Sequence, residues 1–155
     1  MTKKYWLMKS EPDAYSIDDF KRDKKTLWEG VRNYQARNFM IKEMSIGDEF
    51  IFYHSNAKPP GVAGLGKVSR KALPDPSALD KNSPYFDPKA SKEKPIWQCV
   101  EVRFTKKFPK TLSLEEIKKK KELKDILLVQ RGTRLSIQPL KPKDFELLCK
   151  MAQEV

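Results

Sequence analysis

Apolar and polar positions recur along this chain with periods that separate strands from helices. Lys4 to Lys9 (KYWLMK) is aromatic-rich and strand-like. Ser10-Glu11-Pro12-Asp13 breaks it, and Ser16-Ile17-Asp18-Asp19 is a capping-box pattern that starts a short helix through Phe20. Lys21 to Lys25 reads as a charged loop. Asn33 is a good N-cap for a helix from Tyr34 to Met44, with Ala36, Phe39, Met40 and Met44 as its buried stripe. Glu49 to His54 (EFIFYH) and Gly61 to Val68 (GVAGLGKV) are strands, joined by a loop rich in turn residues. The glycines of the second strand let another group approach closely. Ala72 to Pro95 is a long irregular stretch rich in Pro, Asp, Ser and Lys. Ile96 to Phe104 alternates as a long strand. Ser113-Leu114-Glu115-Glu116 starts another helix, Leu135 to Leu140 is a last short strand, and a C-terminal helix turns Phe145, Leu148, Cys149 and Ala152 inward. The order β-α-α-β-β-β-α-β-α, with no repeat and no dividing linker, predicts one α+β domain over residues 1–155 with a mixed, partly closed sheet.

Composition narrows the partners. Of 155 residues, 39% are hydrophobic and 34% charged, enough for one core under a solvated surface. No run of signal-peptide or membrane-span length is expected. Cys99 and Cys149 read as buried thiols in a reducing compartment, and one histidine with no close cysteine pair leaves a metal site almost without ligands. The net charge is +11. A basic surface draws in phosphate polyanions, so nucleic acid is the first partner to consider. Only seven of the 32 basic residues are Arg, the residue suited to bidentate contacts, so charge alone supports this weakly.

Catalytic and cofactor patterns fail in turn. Gly61-Val62-Ala63-Gly64-Leu65-Gly66 is glycine-rich, but the Gly-Lys-Ser/Thr of a phosphate loop does not follow, since Val68 comes after Lys67, and the segment sits in a strand and opens no helix. His54 has no nucleophile at a catalytic spacing, because neighbouring Ser55 points to the other face of a strand. Glu11 and Asp13 are explained by turn or cap roles. No cofactor is implied.

Three segments put polar and aromatic groups at strand ends: Lys9 to Pro12, Trp28 to Asn38, and Phe52 to Asn56 with Pro60 to Gly64. A base drawn out of a helix needs an aromatic face and groups that bond its edge. Trp28 can supply the face, and Ser10, Asn33, Ser55 and Asn56 the edge contacts. Arg32 and Arg37, near a helix start, are candidate phosphate contacts. Read without a ligand, Trp28 is core and the asparagines are caps.

KSEP, WEGVRNYQARNFM, FYHSN, PPGVAGLGKV, PYFDPKA, the Trp97 strand and RLSIQPL, in that order from Tyr5 to about Phe145, resemble the EVE domain. That family belongs to the PUA-like superfamily, is related to the YTH readers of methylated adenine, and includes eukaryotic thymocyte nuclear proteins and bacterial single-domain members. The resemblance implies a small mixed β-barrel of about five to six strands flanked by helices. It implies a non-catalytic module whose pocket takes a flipped, modified cytosine or adenine from DNA or RNA. By position, Trp28 matches the pocket aromatic, Ser10 the pocket edge, and Asn33 and Tyr34 the residues after it. Ser55 and Asn56 match a strand-end pair, and Ser136, Ile137 and Gln138 the late strand that closes the site. For a second aromatic wall the candidates are Trp97, Tyr53, Tyr85 and Phe86. Without a basic bipartite tail, a bacterial cytoplasmic protein is expected, or a nuclear one if eukaryotic.

Two rivals remain. ASCH-type relatives within the PUA-like group include small amide hydrolases acting on acylated nucleobases, with Lys9 and Glu11 as the groups to imagine in catalysis. The other is a scaffold whose lysine run, Lys118 to Lys121, docks on ribosomal RNA or an acidic protein.

Overall fold

The computed structural model describes residues 3–155. Strand β1 (Tyr5–Ser10) leads into helix α1 (Ile17–Asp23), whose Ser16 accepts from Asp19 N–H while the Asp19 carboxylate accepts from Ser16 N–H. Lys25, read above as the end of a charged loop, begins a short strand β2 (Lys25–Leu27) that also takes in Thr26 and Leu27. Three residues carry too little pattern to show a period; their pairing with a later strand makes them a strand. Helix α2 (Tyr34–Asn38) is followed by one wider turn over Phe39–Glu43, so the expected helix changes pitch midway. Its expected inner residues Ala36, Met40 and Met44 are all buried.

Strands β3 (Glu49–His54), β4 (Gly61–Pro74) and β5 (Gln98–Ser113) follow. The last two run well past their expected ends. They pair with each other through four register shifts, which absorb polar and proline residues that a regular alternation would not admit. Ile96 and Trp97, expected in the strand, precede it. Helix α3 (Leu114–Lys119), strand β6 (Ile137–Leu140) and helix α4 (Pro142–Glu154) complete the chain.

The sheet is mixed and six-stranded, in the order β2-β5-β4-β3-β1-β6. Only β1 and β3 run parallel. The ladder does not close: β2 and β6 stay unpaired on their outer sides. Alternation along the strands builds two cores. Trp6, Met8, Phe50, Phe52, Val100 and Val102 face Phe20 of α1 and Met40. Leu7, Ile51, Tyr53, Val62, Phe108 and Leu112 face Ile117 of α3 and Phe145 and Leu148 of α4. Cys99 and Cys149 are free thiols, and burial pushes the Cys99 thiol up to about 12. Among the described residues, no helix is long and apolar enough to cross a membrane.

Candidate functional site

The two unpaired edges decide where the site lies. Thr26 and Leu27 of β2, and Ser136 just before β6, border one cavity of about 620 Å³. These strands are the opposite ends of the sheet order, so the sheet curls until its free edges face each other across that cavity. Lys9, Ser10 and Glu11 at the end of β1 line it, with Ser55 and Asn56 after β3, the segment Trp28–Arg32, and Tyr85 and Arg134 from loops. Its volume falls in the range of small-molecule sites.

Each wall is held by a specific contact. Trp28 continues the β2 ladder by donating its N–H to the Val100 carbonyl at 2.8 Å. Its ring meets Phe50 and Phe52 edge-on, at 5.6 and 5.5 Å. It is only 7% exposed, so it is both core and cavity wall. Ser10 donates its hydroxyl to the Tyr15 carbonyl at 2.6 Å, and its own carbonyl accepts from Ser55 N–H at 3.0 Å. Asn56, with φ of 50°, donates its amide to the Glu11 carboxylate. The Ser136 carbonyl accepts from Lys9 N–H at 2.8 Å.

The segment after Trp28 hangs on one buried carboxylate. Asp75 accepts from Gly30 N–H at 2.9 Å, Ser77 N–H at 2.8 Å, Ser77 Oγ at 2.6 Å and Arg32 Nη1 at 3.1 Å. Arg32 in turn donates through Nη2 to the Tyr85 carbonyl at 2.6 Å. Gly30 has φ of +84°, and a Cβ there would fall 2.7 Å from the Tyr85 ring. Glycine is therefore needed twice, for the backbone and for the ring laid over it. Besides Trp28, the aromatics Tyr15 and Tyr85 line the cavity. Tyr53 and Trp97 do not line it, nor does Phe86. Tyr53 belongs to the second core, where burial pushes its hydroxyl up to about 12.

Several expected site residues stand elsewhere. Asn33 is an N-cap, its side chain accepting from Ala36 N–H at 2.9 Å. Tyr34 stacks on Trp97 at 4.9 Å, outside the cavity. Trp97 donates Nε1 to Asp87 at 2.8 Å, which lowers the Asp87 pKa. Arg37 lies 4.8 Å over the Tyr34 ring and donates to the Ile96 carbonyl at 2.9 Å. This stack fastens the end of the long loop to the start of α2. Gln138 is fully buried and donates to the Leu135 carbonyl at 3.0 Å. It sits opposite Leu7 of the second core. Alternation alone explains this: Ile137 takes the first-core face, so its neighbour cannot. Arg32 and Arg37 thus have their guanidiniums engaged within the protein, Arg32 at the cavity wall.

Glu29 was inside a segment that drew attention but was not singled out; it lines the cavity, and burial followed by the nearby Asp75 charge raises its pKa. Arg134 also lines it and has no acidic partner among the described residues. It opens the RLSIQPL segment, two residues before Ser136, which also lines the cavity. Lys9 lines the cavity, but its Nζ lies 6.0 Å from the Tyr53 ring centroid, and burial lowers its pKa. The described residues contain no group of three or more His, Cys, Asp or Glu able to hold a metal ion.

Comparison with known proteins adds the following. The EVE domain model matches residues 4–151. Human thymocyte nuclear protein 1 is 40% identical over 169 residues, covering 97% of this chain and 74% of that one. A hypothetical protein from Leishmania major superposes with a TM-score of 0.93 at 49% identity, over 99% of this chain and 96% of the other. Human THYN1 protein, in complex with 5-methylcytosine containing DNA, superposes with a TM-score of 0.90 at 39% identity, over 97% and 98%. An ASCH protein from Zymomonas mobilis is 11% identical with a TM-score of 0.57, over 96% and 98%, a likeness of fold alone.

Proposed function

The chain belongs to the EVE domain family, and from that premise we propose that it binds nucleic acid by seating one extruded, modified base in the cavity between its two sheet edges, without chemistry of its own. The observation that carries this is the cavity itself: about 620 Å³, bounded by Trp28 and Tyr85, with polar groups of Ser10, Ser55, Asn56 and Ser136 around it. Aromatic rings stack a base whatever its sequence context, at about 1–3 kcal/mol each. Polar side chains and edge backbone then bond its rim. Arg134 takes the adjoining phosphate in place of Arg32 and Arg37. The base we put first is 5-methylcytosine in DNA, because a relative 39% identical was crystallised with such DNA. The compartment is one that holds nucleic acid and keeps both thiols reduced.

Trp28 lies in the core, so its removal would unfold part of what it tests. Tyr85, at 37% exposure, is the cleaner probe. Tyr85→Ala is expected to weaken binding of a 5-methylcytosine oligonucleotide roughly tenfold, the scale of one stacking contact, with an unchanged melting temperature. Equal affinity of the unaltered protein for methylated and unmethylated strands, across DNA and RNA, would overturn the pocket reading.

The hydrolase rival draws on Lys9 and Glu11, which do line the cavity. Glu11 accepts from the Asn56 amide and Lys9 sits towards Tyr53, an arrangement that supports binding over catalysis by this pair. Turnover of an acylated cytidine, lost in Lys9→Ala, would reverse this judgement.

A further inference from the structure

Cross-strand pairing places three unpartnered cations side by side on the outer face of the sheet. Lys25 of β2 is the register partner of Arg103 of β5, and Arg103 is the register partner of Lys67 of β4. Directly paired residues leave a sheet on the same face. The residues next to them, Val102 and Val68, are buried in the first core, so the three cations point away from it. All three are exposed. Neighbouring strands lie about 5 Å apart, so the row places three positive charges within roughly 10 Å, about one Debye length at moderate salt.

Like charges directly opposite each other destabilise a sheet. Several basic residues elsewhere are matched by acids, whereas these three lie directly opposite one another. Arg22 meets Asp19 and Asp23, Lys107 meets Asp18, and in the lysine run Lys119 and Lys120 meet Glu116 and Glu122. The row has no such relief among the described residues. Its two flanking carboxylates are already engaged: Glu49, beside Lys67 in register, with Lys3 at 3.4 Å, and Glu101, two residues before Arg103, with Ser69 at 2.9 Å and Arg70 at 4.0 Å. Lys25 immediately precedes Thr26 and Leu27, which border the cavity.

We propose that Lys25, Arg103 and Lys67 form a second contact, which grips the phosphate backbone of the nucleic acid whose base enters the cavity. A polyanion supplies the missing countercharge, and phosphates along a strand are spaced closely enough to meet successive cations. The row reads no sequence; it orients the strand past the β2 edge. This rests on the proposed function only for the identity of the partner.

The test is a salt titration of oligonucleotide binding by the Lys25→Gln/Arg103→Gln/Lys67→Gln variant. A phosphate contact adds about one unit to the slope of log affinity against log salt. The slope is expected to shrink by about two to three units. Affinity should fall equally for methylated and unmethylated strands, leaving their ratio intact. The melting temperature at low salt should hold or rise, since repulsion is relieved. Lys119→Gln/Lys120→Gln, which removes lysines already paired with acids, is the control and should change the slope less per charge. An unchanged slope in the triple variant, or an equal loss per charge in the control, would overturn the row. A protein that shows the slope change but no preference for modified strands loses the pocket reading and keeps the row; the reverse result does the opposite.

Discussion

Single residues carry both the stability of the cavity wall and its pH response. Asp75 is buried and joins Gly30, Ser77 and Arg32, and through Arg32 it holds Tyr85. Asp75→Ala would leave the Arg32 guanidinium without its partner. Breaking a buried pair from one side costs about 3–5 kcal/mol, and urea unfolding should show a loss at the lower end of that range because Arg32 keeps some solvent contact. His54 behaves differently. Its Nε2 accepts from Ile17 N–H at 3.1 Å, and burial, with lesser opposing effects of Asp18 and Lys107, holds its pKa below the ordinary value. As pH falls through the unfolded value near 6.5, the unfolded chain takes up a proton that the folded chain resists. This group's contribution is therefore complete above that pH and declines as pH drops toward its folded pKa. Melting temperatures between about pH 7 and 5 should fall more steeply for the natural protein than for His54→Gln. Parallel curves would show that the Ile17 bond does not depend on a neutral ring.

At the scale of elements, the hairpin of β4 and β5 sets the shape of the sheet. A Cβ at Gly66 would fall 2.5 Å from the Phe50 ring and 2.9 Å from Phe20, where α1 presses on the strand. Gly66→Ala should destabilise by about 1–3 kcal/mol through overpacking, read by chemical denaturation. The sequence had pointed to these glycines as places of close approach. It had also located the starts of α1 and α2 through Ser16 and Asn33, because a cap is a local hydrogen bond between residues three apart. It had not located β2. A three-residue strand has no period of its own and exists because β5 lies beside it.

For the whole molecule, the charge of +11 resolves into paired and unpaired parts. Affinity for any strand should drop steeply between about 50 and 200 mM salt, since phosphate contacts release counterions. The ratio of affinities for methylated and unmethylated strands should stay flat over that range, because stacking and edge contacts in the cavity release none. Anisotropy titrations at both salt levels distinguish the two terms. A ratio that collapsed with salt would place methyl preference on the electrostatic surface and not in the cavity.

Local rules were enough to derive the α+β class, the two helix caps, the buried stripe of α2 and the segments that end at the cavity. Their physical basis is short in range: alternation, capping and turn chemistry act over a few residues. The same segments also contained Ser10, Trp28, Ser55 and Asn56, which do line the cavity. Folding assigned the rest. Asn33 and Gln138 look like base-edge groups in a linear reading, but one caps a helix and the other faces the second core. Trp97 and Tyr34 form a brace, and Tyr85 becomes a second wall because Gly30 leaves room beneath it. Arg32 and Arg37 were bound within the protein, while Arg134 was set on the cavity wall and the row of Lys25, Arg103 and Lys67 on the outer face of the sheet. Those outcomes depend on how a six-stranded sheet curls and which edges it leaves open, and that is a property of contacts between residues far apart in the chain.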